Sequence, residues 1–211
     1  MRYVFTEKLP RELSAREEAL EKLGIAPLIL ANQVHGENVL YAGADYVRAD
    51  GDALITDIPG VYVGVVTADC VPILLAARGK DGGCTAVAAV HAGWRGTALK
   101  IAEKAVFALQ DRFGVRPENT KAFIGPCVCQ SCYETGPEVS QALGPQAAPF
   151  ICEKGGKHYP DLRRINALWL QNAGVREIHV SEECTCCRPD VYWSHRRHGT
   201  ERGTQISAIC L

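Results

Sequence analysis

Residues 61–99, VYVGVVTADCVPILLAARGKDGGCTAVAAVHAGWRGTAL, decide the fold of this 211-residue chain. They contain two apolar, β-branched runs, which are too continuously apolar for a surface face and therefore predict two buried central strands. The first run reaches the TADC sequence at residues 67–70, and the second reaches HAGWRG at residues 91–96. Polar side chains at the ends of buried strands commonly converge on a pocket. We therefore expect Cys70 and His91 to lie close together.

The composition predicts one soluble domain over residues 1–211. The hydrophobic content of 47% suffices for one sizeable core, and the net charge of −1 shows no basic excess that would favour nucleic acid. The first eight residues carry charges and precede no apolar segment, so we expect no signal peptide, no membrane partner and a cytoplasmic location. Nothing in the sequence indicates an oligomeric state.

Apolar periodicity outside the central segment predicts a single α/β domain with a mixed sheet. A capping box at Ser14–Glu17 predicts a helix that ends at Gly24, and Asp161 is expected to cap a helix that ends at Gly174. Further helices are predicted at residues 96–113 and within 133–143, and strands at residues 27–31, 38–41, 52–56, 121–124, 178–180 and 205–211. Loops are predicted at residues 46–52, 78–83, 144–156 and 194–204.

Three residues, His35, Cys70 and His91, suit a catalytic zinc ion. Imidazole nitrogen and thiolate sulfur are donors that zinc prefers, and three protein ligands leave a fourth position for water or substrate. Gly36 is expected to provide a tight turn beside His35. The separations of 35 and 21 residues match no compact zinc motif. By spacing alone, a buried thiol and two ordinary turn histidines therefore remain an alternative.

Other polar residues are candidates for substrate or phosphate binding. Asp69 is placed to orient a ligand histidine through its free N–H group, or else to cap a turn. Arginine forks suit phosphate and carboxylate groups, although most arginines are solvated. The candidate substrate- and phosphate-binding residues are Gln33, Asp69, Arg95, Arg196 and Arg197.

Ten cysteines are many for a chain without an export signal. Two groups, Cys127, Cys129 and Cys132 and then Cys184, Cys186 and Cys187, would form a second metal or cluster site if the two segments met in space. We favour the alternative that these residues are small buried hydrophobes, some of them paired as disulfides. A hydrolase built on one of these thiols is a further alternative.

Several uncommon motifs, in the same order, resemble the laccase-domain family. This family takes its name from multicopper polyphenol oxidases and is understood as zinc-dependent purine nucleoside phosphorylases with adenosine deaminase side activity. The resemblance extends from about residue 32 to the C-terminus and rests on the segments NQVHGENV, DGDALIT, VVTADCVPILL, AAVHAGWRGT, FIGPCVCQSCYETG, GVREIHVSEECT and SHRRHG.

The resemblance implies an α/β fold with layered sheets flanked by helices. It implies that His35, Cys70 and His91 bind the zinc ion. It further implies phosphorolysis of adenosine, inosine, guanosine and methylthioadenosine to the free base and ribose 1-phosphate. The chain departs from the family in two places. The 31 residues before NQVHG contain neither the GGxS nor the Asn-Leu-Gly motif, and Arg202-Gly203 stands where the family has Gly-Arg.

Two other functions are weighed against a phosphorylase. Copper-dependent phenol oxidation would need many histidines, and the chain has six with no His-x-His pair, although copper can displace zinc in vitro. A non-catalytic zinc or redox-sensing protein would use the cysteine groups instead of the His35, Cys70 and His91 site.

Overall fold

The computed structural model describes residues 1–79 and 82–211, so Lys80 and Asp81 of the predicted loop at residues 78–83 lie outside the described residues. The strands are β1 (Arg2–Phe5), β2 (Leu28–Ile29), β3 (Val39–Tyr41), β4 (Ala53–Thr56), β5 (Tyr62–Thr67), β6 (Val71–Arg78), β7 (Cys84–Ala92), β8 (Thr120–Ile124), β9 (Ile151–Lys154), β10 (Lys157–Pro160), β11 (Glu177–Val180) and β12 (Gln205–Cys210). The α-helices are α1 (Leu13–Lys22), α2 (Trp94–Ala98), α3 (Ile101–Phe113), α4 (Pro137–Leu143), α5 (Leu162–Asn172) and α6 (His195–His198).

The strands form two mixed main sheets and a separate hairpin. The larger sheet has six strands in the order β11-β8-β6-β7-β4-β3, with parallel pairs at its two ends. The smaller sheet has four strands in the order β1-β12-β5-β2, with one parallel pair between β5 and β2. β9 and β10 form the hairpin. The predicted mixed α/β fold with layered sheets is confirmed.

The two main sheets pack face to face because the central strands are apolar on both faces. Val63 of β5, Leu74 of β6 and Val87 of β7 meet between the sheets. Ile73 and Val90 point to the opposite face of the larger sheet, where they pack with α3 and α5. α1 covers the outer face of the smaller sheet, so the order of layers is helix, sheet, sheet, helix.

The two predicted central strands are in fact three. Asp69 adopts a left-handed backbone conformation (φ 95°), which turns the chain between β5 and β6. As a result, β5 joins the smaller sheet while β6 joins the larger one. This turn places the end of β5 and the start of β6 beside the candidate ligand Cys70.

Two of the predicted helix features differ in the structure. The helix predicted at residues 96–113 is divided at Lys100 (φ 58°), because the Thr97 carbonyl accepts hydrogen bonds from the Lys100 N–H and the Trp169 indole. The predicted capping box is wrong, since α1 follows Glu12 as its N-cap and Ser14 is already helical. Asp161 does cap α5, accepting a hydrogen bond from the Arg164 N–H at 3.2 Å.

Sequence periodicity missed the short elements at the periphery. β1 pairs with β12, the β9–β10 hairpin lies partly within the predicted loop at residues 144–156, and α6 lies within the predicted basic loop. These elements are four residues each, which is too short for a clear periodic pattern, and β1 also depends on a partner strand that is remote in sequence. Among the described residues, no helix has the length and apolar character needed to span a membrane.

Candidate metal centre

The antiparallel register of β6 and β7 brings Cys70 and His91 together. Val71, the first residue of β6, pairs with Ala92, the last residue of β7, so Cys70 lies beside the end of β7. His35 reaches the same point from the loop between β2 and β3. The donor atoms of His35, Cys70 and His91 all lie within 4.8 Å of one another. The structure therefore assembles the three residues that the sequence proposed as zinc ligands.

The three side chains differ in their exposure to solvent. His91 is only 2% exposed, Cys70 is half-buried and His35 is exposed. The two imidazole rings meet edge to face, with centroids 4.8 Å apart. The group is thus anchored in the core at His91 and accessible from solvent at His35.

Asp52 organises this group, and sequence reasoning missed it. Its carboxylate accepts hydrogen bonds from the backbone N–H groups of Val34 (3.2 Å), His35 (2.9 Å) and Gly36 (2.7 Å). The same carboxylate lies 2.7 Å from Nδ1 of His91. It therefore fixes the turn that carries one histidine and the ring of the other, leaving Nε2 of His91 free to bind a metal.

The predicted orienting role of Asp69 is wrong. Its carboxylate accepts hydrogen bonds from the Thr185 hydroxyl and the Arg196 N–H, both at 2.6 Å, so it ties the segment around Thr185 to the start of α6 and does not orient a histidine. The tight turn predicted at Gly36 is also different, because His35 itself has the left-handed conformation (φ 59°). The three successive N–H bonds to Asp52 stabilise that conformation.

Mutual hydrogen bonding perturbs the thiol and the buried imidazole. Burial alone would raise the pKa of Cys70, but hydrogen bonds from His35 and His91 outweigh it and lower the pKa to about 6. Burial alone would lower the pKa of His91, but hydrogen bonds with Asp52 and Cys70 raise it to about 9. At neutral pH the group therefore contains a thiolate, which is the form of cysteine that binds metals.

Gly93 allows the ligands to approach each other. A Cβ atom at this position would lie 3.1 Å from Sγ of Cys70 and 3.1 Å from Cδ2 of His35. Both distances are shorter than ordinary contact, so the two neighbours would have to move by a few tenths of an ångström.

We expect Gly93→Ala to weaken metal binding by about 10- to 100-fold, since forcing a methyl group into a packed site costs about 1–3 kcal/mol. A competing chelator would measure the affinity of both the variant and the unmodified chain. Gly36→Ala is the matched control, because its Cβ would meet Asp52 and Val34 at an ordinary 3.5 Å. Equal affinity for the Gly93 variant and the unmodified chain would show that the ligands do not bind a common ion.

The candidate metal ligands lie between two cavities of the described structure. The larger, of about 940 Å³, is bordered by α1 and by β2 and also touches all three ligands. The smaller, of about 690 Å³, touches His35 and Cys70 and lies against α2, Tyr133 and the start of α6. Both volumes are in the range of small-molecule sites.

The smaller cavity is rich in cations and aromatic rings. Arg95 and Arg196, both predicted, line it together with Arg202, whose Nε donates to Nδ1 of His195 at 3.2 Å. Arg202 also borders the larger cavity, so the departure from the family at residues 202–203 leaves an arginine beside the site. Trp94 and Tyr133 provide aromatic walls. This cavity can accept an anion next to an aromatic ring.

Two predicted substrate residues have other contacts. The Gln33 side chain borders the larger cavity, but its amide donates to the Val66 carbonyl (2.8 Å) and its oxygen accepts from the Val66 N–H (2.7 Å). Arg197 donates to the Cys186 carbonyl at 2.7 Å and is not among the residues that line either cavity. Gln33 therefore ties the loop before His35 to β5, and Arg197 holds the cysteine segment.

The structure also brings the two cysteine segments together. All ten cysteines are free thiols, so the structure contains none of the disulfides that the favoured alternative allowed. Of the six cysteines in these segments, only Cys127, Cys184 and Cys186 are buried as that alternative expects. The Sγ atoms of Cys129, Cys132, Cys184 and Cys187 lie within 4.8 Å of one another. Cys127 and Cys186 lie outside this group: Cys127 packs in the main core and Cys186 in a small apolar cluster.

Comparison with protein families identifies one model that matches almost the entire chain. The family described as multi-copper polyphenol oxidoreductase laccase matches residues 11–211. A purine nucleoside phosphorylase of Deinococcus radiodurans is 37% identical over 181 residues, which cover 85% of this chain and 68% of that protein.

Two further similarities extend over most of the chain. A protein named adenosine deaminase RL5, from an unknown prokaryotic organism, is 38% identical over 94% of this chain and 81% of its own length. A crystal structure of a Neisseria meningitidis protein of family DUF152 superposes with a TM-score of 0.83 and 33% identity, covering 93% of this chain and 79% of that one.

Proposed function

Since the chain belongs to the multi-copper polyphenol oxidoreductase laccase family, we propose that it is a zinc-dependent purine nucleoside phosphorylase with adenosine deaminase activity. Relatives named for both activities support an enzyme of this kind. The proposed substrates are phosphate with adenosine, inosine, guanosine or methylthioadenosine. The observation that carries the proposal is the position of the His35, Cys70 and His91 group at the edge of an arginine-lined cavity.

The donor set fits a zinc ion. Two imidazoles and one thiolate are preferred zinc donors, and three protein ligands are typical of catalytic rather than structural sites. The bond between Asp52 and Nδ1 of His91 provides the orienting carboxylate that metal-binding histidines usually have. Bound at His35, Cys70 and His91, zinc would supply a Lewis acid beside the smaller cavity.

The residues of the smaller cavity suit a phosphate ion and a purine nucleoside. Arg95 and Arg196 can neutralise phosphate, and Arg196 is oriented by its donation to the Glu134 carbonyl at 2.8 Å. Burial and the nearby Cys70 thiolate raise the pKa of Tyr133 to about 12, so its hydroxyl stays protonated and can donate a hydrogen bond at neutral pH. Trp94 offers an aromatic face for the base.

In phosphorolysis, a phosphate oxygen bonds to C1′ of the ribose while the C1′–N9 bond breaks and the purine leaves with the electron pair. The arginines would hold the phosphate on one side of C1′ and so convert a bimolecular reaction into an oriented one. The half-buried position of the cavity limits competition by water. Deamination would use the same group of ligands: the oxygen of water would bond to C6 of the purine, the C6–N6 bond would break, and the amino group would leave as ammonia.

Multicopper phenol oxidation is less consistent with the structure. Among the described residues, only His35 and His91 of the six histidines join a group of three or more metal donors. A multicopper site would need several such histidines close together. Copper binding in vitro at the zinc site remains compatible with this arrangement, because Cu²⁺ binds nitrogen and sulfur donors more tightly than Zn²⁺.

The direct test is to incubate the purified protein with adenosine in the presence and absence of phosphate and to identify the products by chromatography. Phosphate-dependent release of adenine and ribose 1-phosphate is the expected result. Inosine formed equally well without phosphate, with no release of adenine, would indicate a deaminase alone. Absence of both products from a zinc-loaded protein would contradict the proposal.

We expect the zinc affinity of this site to increase about tenfold per pH unit between about pH 7 and 9. His91, with its pKa raised to about 9, is protonated in the metal-free protein over this range and must lose that proton to bind zinc. Cys70, with its pKa lowered to about 6, is already a thiolate and releases no proton. Above pH 9 the increase should level off.

Calorimetric titration in buffers of different ionisation enthalpy would count the released protons. For the zinc ion bound at His35, Cys70 and His91, the expected number is about one proton at pH 8, from His91. Affinity that does not change between pH 7 and 9 would show that His91 is neutral in the metal-free protein.

A further inference from the structure

Four cysteines lie close together on the two loops that follow β8 and β11. Cys129 and Cys132 form a Cys-x-x-Cys sequence after β8, and Cys184 and Cys187 form a second one after β11. All four sulfur atoms lie within 4.8 Å of one another, and those of Cys132 and Cys187 are 3.4 Å apart. We propose that these four cysteines bind a second, structural zinc ion.

The sulfur spacing favours a single metal ion. Four thiolates at the usual Zn–S distance of about 2.3 Å in a tetrahedron place their sulfurs about 3.8 Å apart. The observed sulfurs are near this spacing, since all four lie within 4.8 Å of one another and those of Cys132 and Cys187 are 3.4 Å apart. An iron–sulfur cluster would set the cysteine sulfurs farther apart, because several irons and inorganic sulfides would lie between them.

Backbone donors point at one of the sulfurs. The N–H of Cys129 lies 3.2 Å from Sγ of Cys184, and the N–H of Cys187 lies 3.4 Å from the same atom. Such bonds would stabilise negative charge on this sulfur once a metal is bound. Two Cys-x-x-Cys turns that face each other and donate N–H bonds to sulfur are the arrangement expected of a closed zinc site with four thiolates.

The protein holds the two loops together independently of any metal. Cys127 and Cys184 form an isolated parallel β-bridge, and the Thr185 N–H donates to the Cys127 carbonyl at 3.1 Å. The guanidinium of Arg163, which is 3% exposed, donates to the carbonyls of Ser181, Cys127 and Glu183. The site is thus preorganised, and binding a metal would require little further ordering.

Apolar packing explains only part of this arrangement. Cys184 is buried in a small apolar cluster with Val128 and Cys186, and Cys129 and Cys132 pack against that cluster. Cys187 is exposed and Cys129 and Cys132 are only half-buried, so burial does not explain why the four sulfur atoms meet. Cys127 and Cys186 belong to the same two segments and are buried, but they are not part of the group of four. The fold therefore brings together the two Cys-x-x-Cys pairs and not every cysteine of these segments.

The second site would stiffen one wall of the candidate active site. Thr185, between Cys184 and Cys187, donates its hydroxyl hydrogen bond to Asp69, the residue before Cys70. Tyr133, directly after Cys132, lines the smaller cavity. A zinc ion bound by the four cysteines would therefore limit the movement of Thr185 and Tyr133. With four protein ligands, this ion would have no open position for substrate.

The test is to purify the chain with reductant under anaerobic conditions and count zinc by mass spectrometry. We expect two zinc ions per chain, and one in the Cys132→Ser/Cys187→Ser double variant. The matched control is Cys84→Ser/Cys152→Ser, which replaces one half-buried and one exposed cysteine outside both groups and should retain two. Cys70→Ala should retain the second zinc ion, whether or not the protein shows phosphorylase activity.

Cobalt provides a readout that does not depend on the double variant folding. Co²⁺ bound to the Cys70→Ala chain should show the intense visible bands of tetrahedral cobalt with four thiolates, since the first site then has no thiol. Cobalt without these bands, one zinc ion in the unmodified chain that Cys70→Ala removes, or two of the four thiols joined as a disulfide would overturn the proposal. Bound iron with a red colour in place of zinc would overturn the assignment of the metal.

Discussion

Cys70→Ala is expected to remove one zinc ion per chain and to lower kcat/KM for nucleoside phosphorolysis by at least about 100-fold. Cys70 provides the only thiolate of the candidate catalytic site, and its pKa of about 6 keeps it anionic at neutral pH. The loss should exceed the effect of removing an orienting group behind a ligand, which is about 10- to 100-fold. Alanine would leave two imidazoles, one of them exposed, to hold the ion.

Metal analysis and steady-state kinetics on the same preparation would measure both effects. Cys84→Ala is the control, because Cys84 is also half-buried but belongs to neither group of metal donors. Its zinc content and turnover should equal those of the unmodified chain. If Cys70→Ala lost its zinc and still catalysed phosphorolysis at the normal rate, the site would not be the catalytic centre.

The apolar strands and the chemistry of the three ligands could be predicted from the sequence. Val63, Leu74 and Val90 belong to runs that are apolar at consecutive positions, and burial on both faces is the condition that requires such runs. His35, Cys70 and His91 were identified because each is a good zinc donor beside a strand end. Their convergence follows from the pairing of β6 with β7, which the sequence pattern made plausible but did not specify.

Contacts between remote segments could not be predicted in the same way. Asp52 lies 39 residues from His91, and its position in the DGDALIT segment does not show that it contacts a histidine. Asp69, next to Cys70 in sequence, was the more obvious orienting residue, yet its backbone conformation directs it to Thr185. The position of Asp69 beside Cys70 in the sequence therefore did not indicate its role, because hydrogen bonds to remote segments determine that role.

The meeting of the two cysteine pairs is a further case. The spacing of Cys129 with Cys132 and of Cys184 with Cys187 was visible, but 52 residues separate the pairs. The parallel pairing of β8 with β11 aligns the segments that follow both strands. Only this register shows that the pairs face each other.

Asp52→Asn is expected to lower the zinc affinity of the His35, Cys70 and His91 site by about 10- to 100-fold or more. Oδ1 of Asp52 faces the His35 N–H and Nδ1 of His91, while Oδ2 faces the N–H groups of Val34 and Gly36. In the variant, an amide NH₂ in place of Oδ2 would face two N–H groups that are also donors. An amide NH₂ in place of Oδ1 would face the His35 N–H and would donate to Nδ1 of His91. A neutral His91 would then carry its proton on Nε2, the nitrogen needed for the metal.

The same substitution should lower the free energy of unfolding of the metal-free protein by about 3–5 kcal/mol, the usual cost of removing one partner of a buried charged pair. Denaturation with chelator present would measure the stability, and ¹⁵N chemical shifts of His91 would report its tautomer. Asp57→Asn is the control, because this exposed carboxylate accepts a single side-chain hydrogen bond, from Tyr41, at 2.8 Å. Unchanged zinc affinity in Asp52→Asn, together with an Nε2 of His91 that is unprotonated in the zinc-bound variant, would show that backbone packing alone orients His91. In that case the carboxylate would serve the turn at residues 34–36 and not the metal.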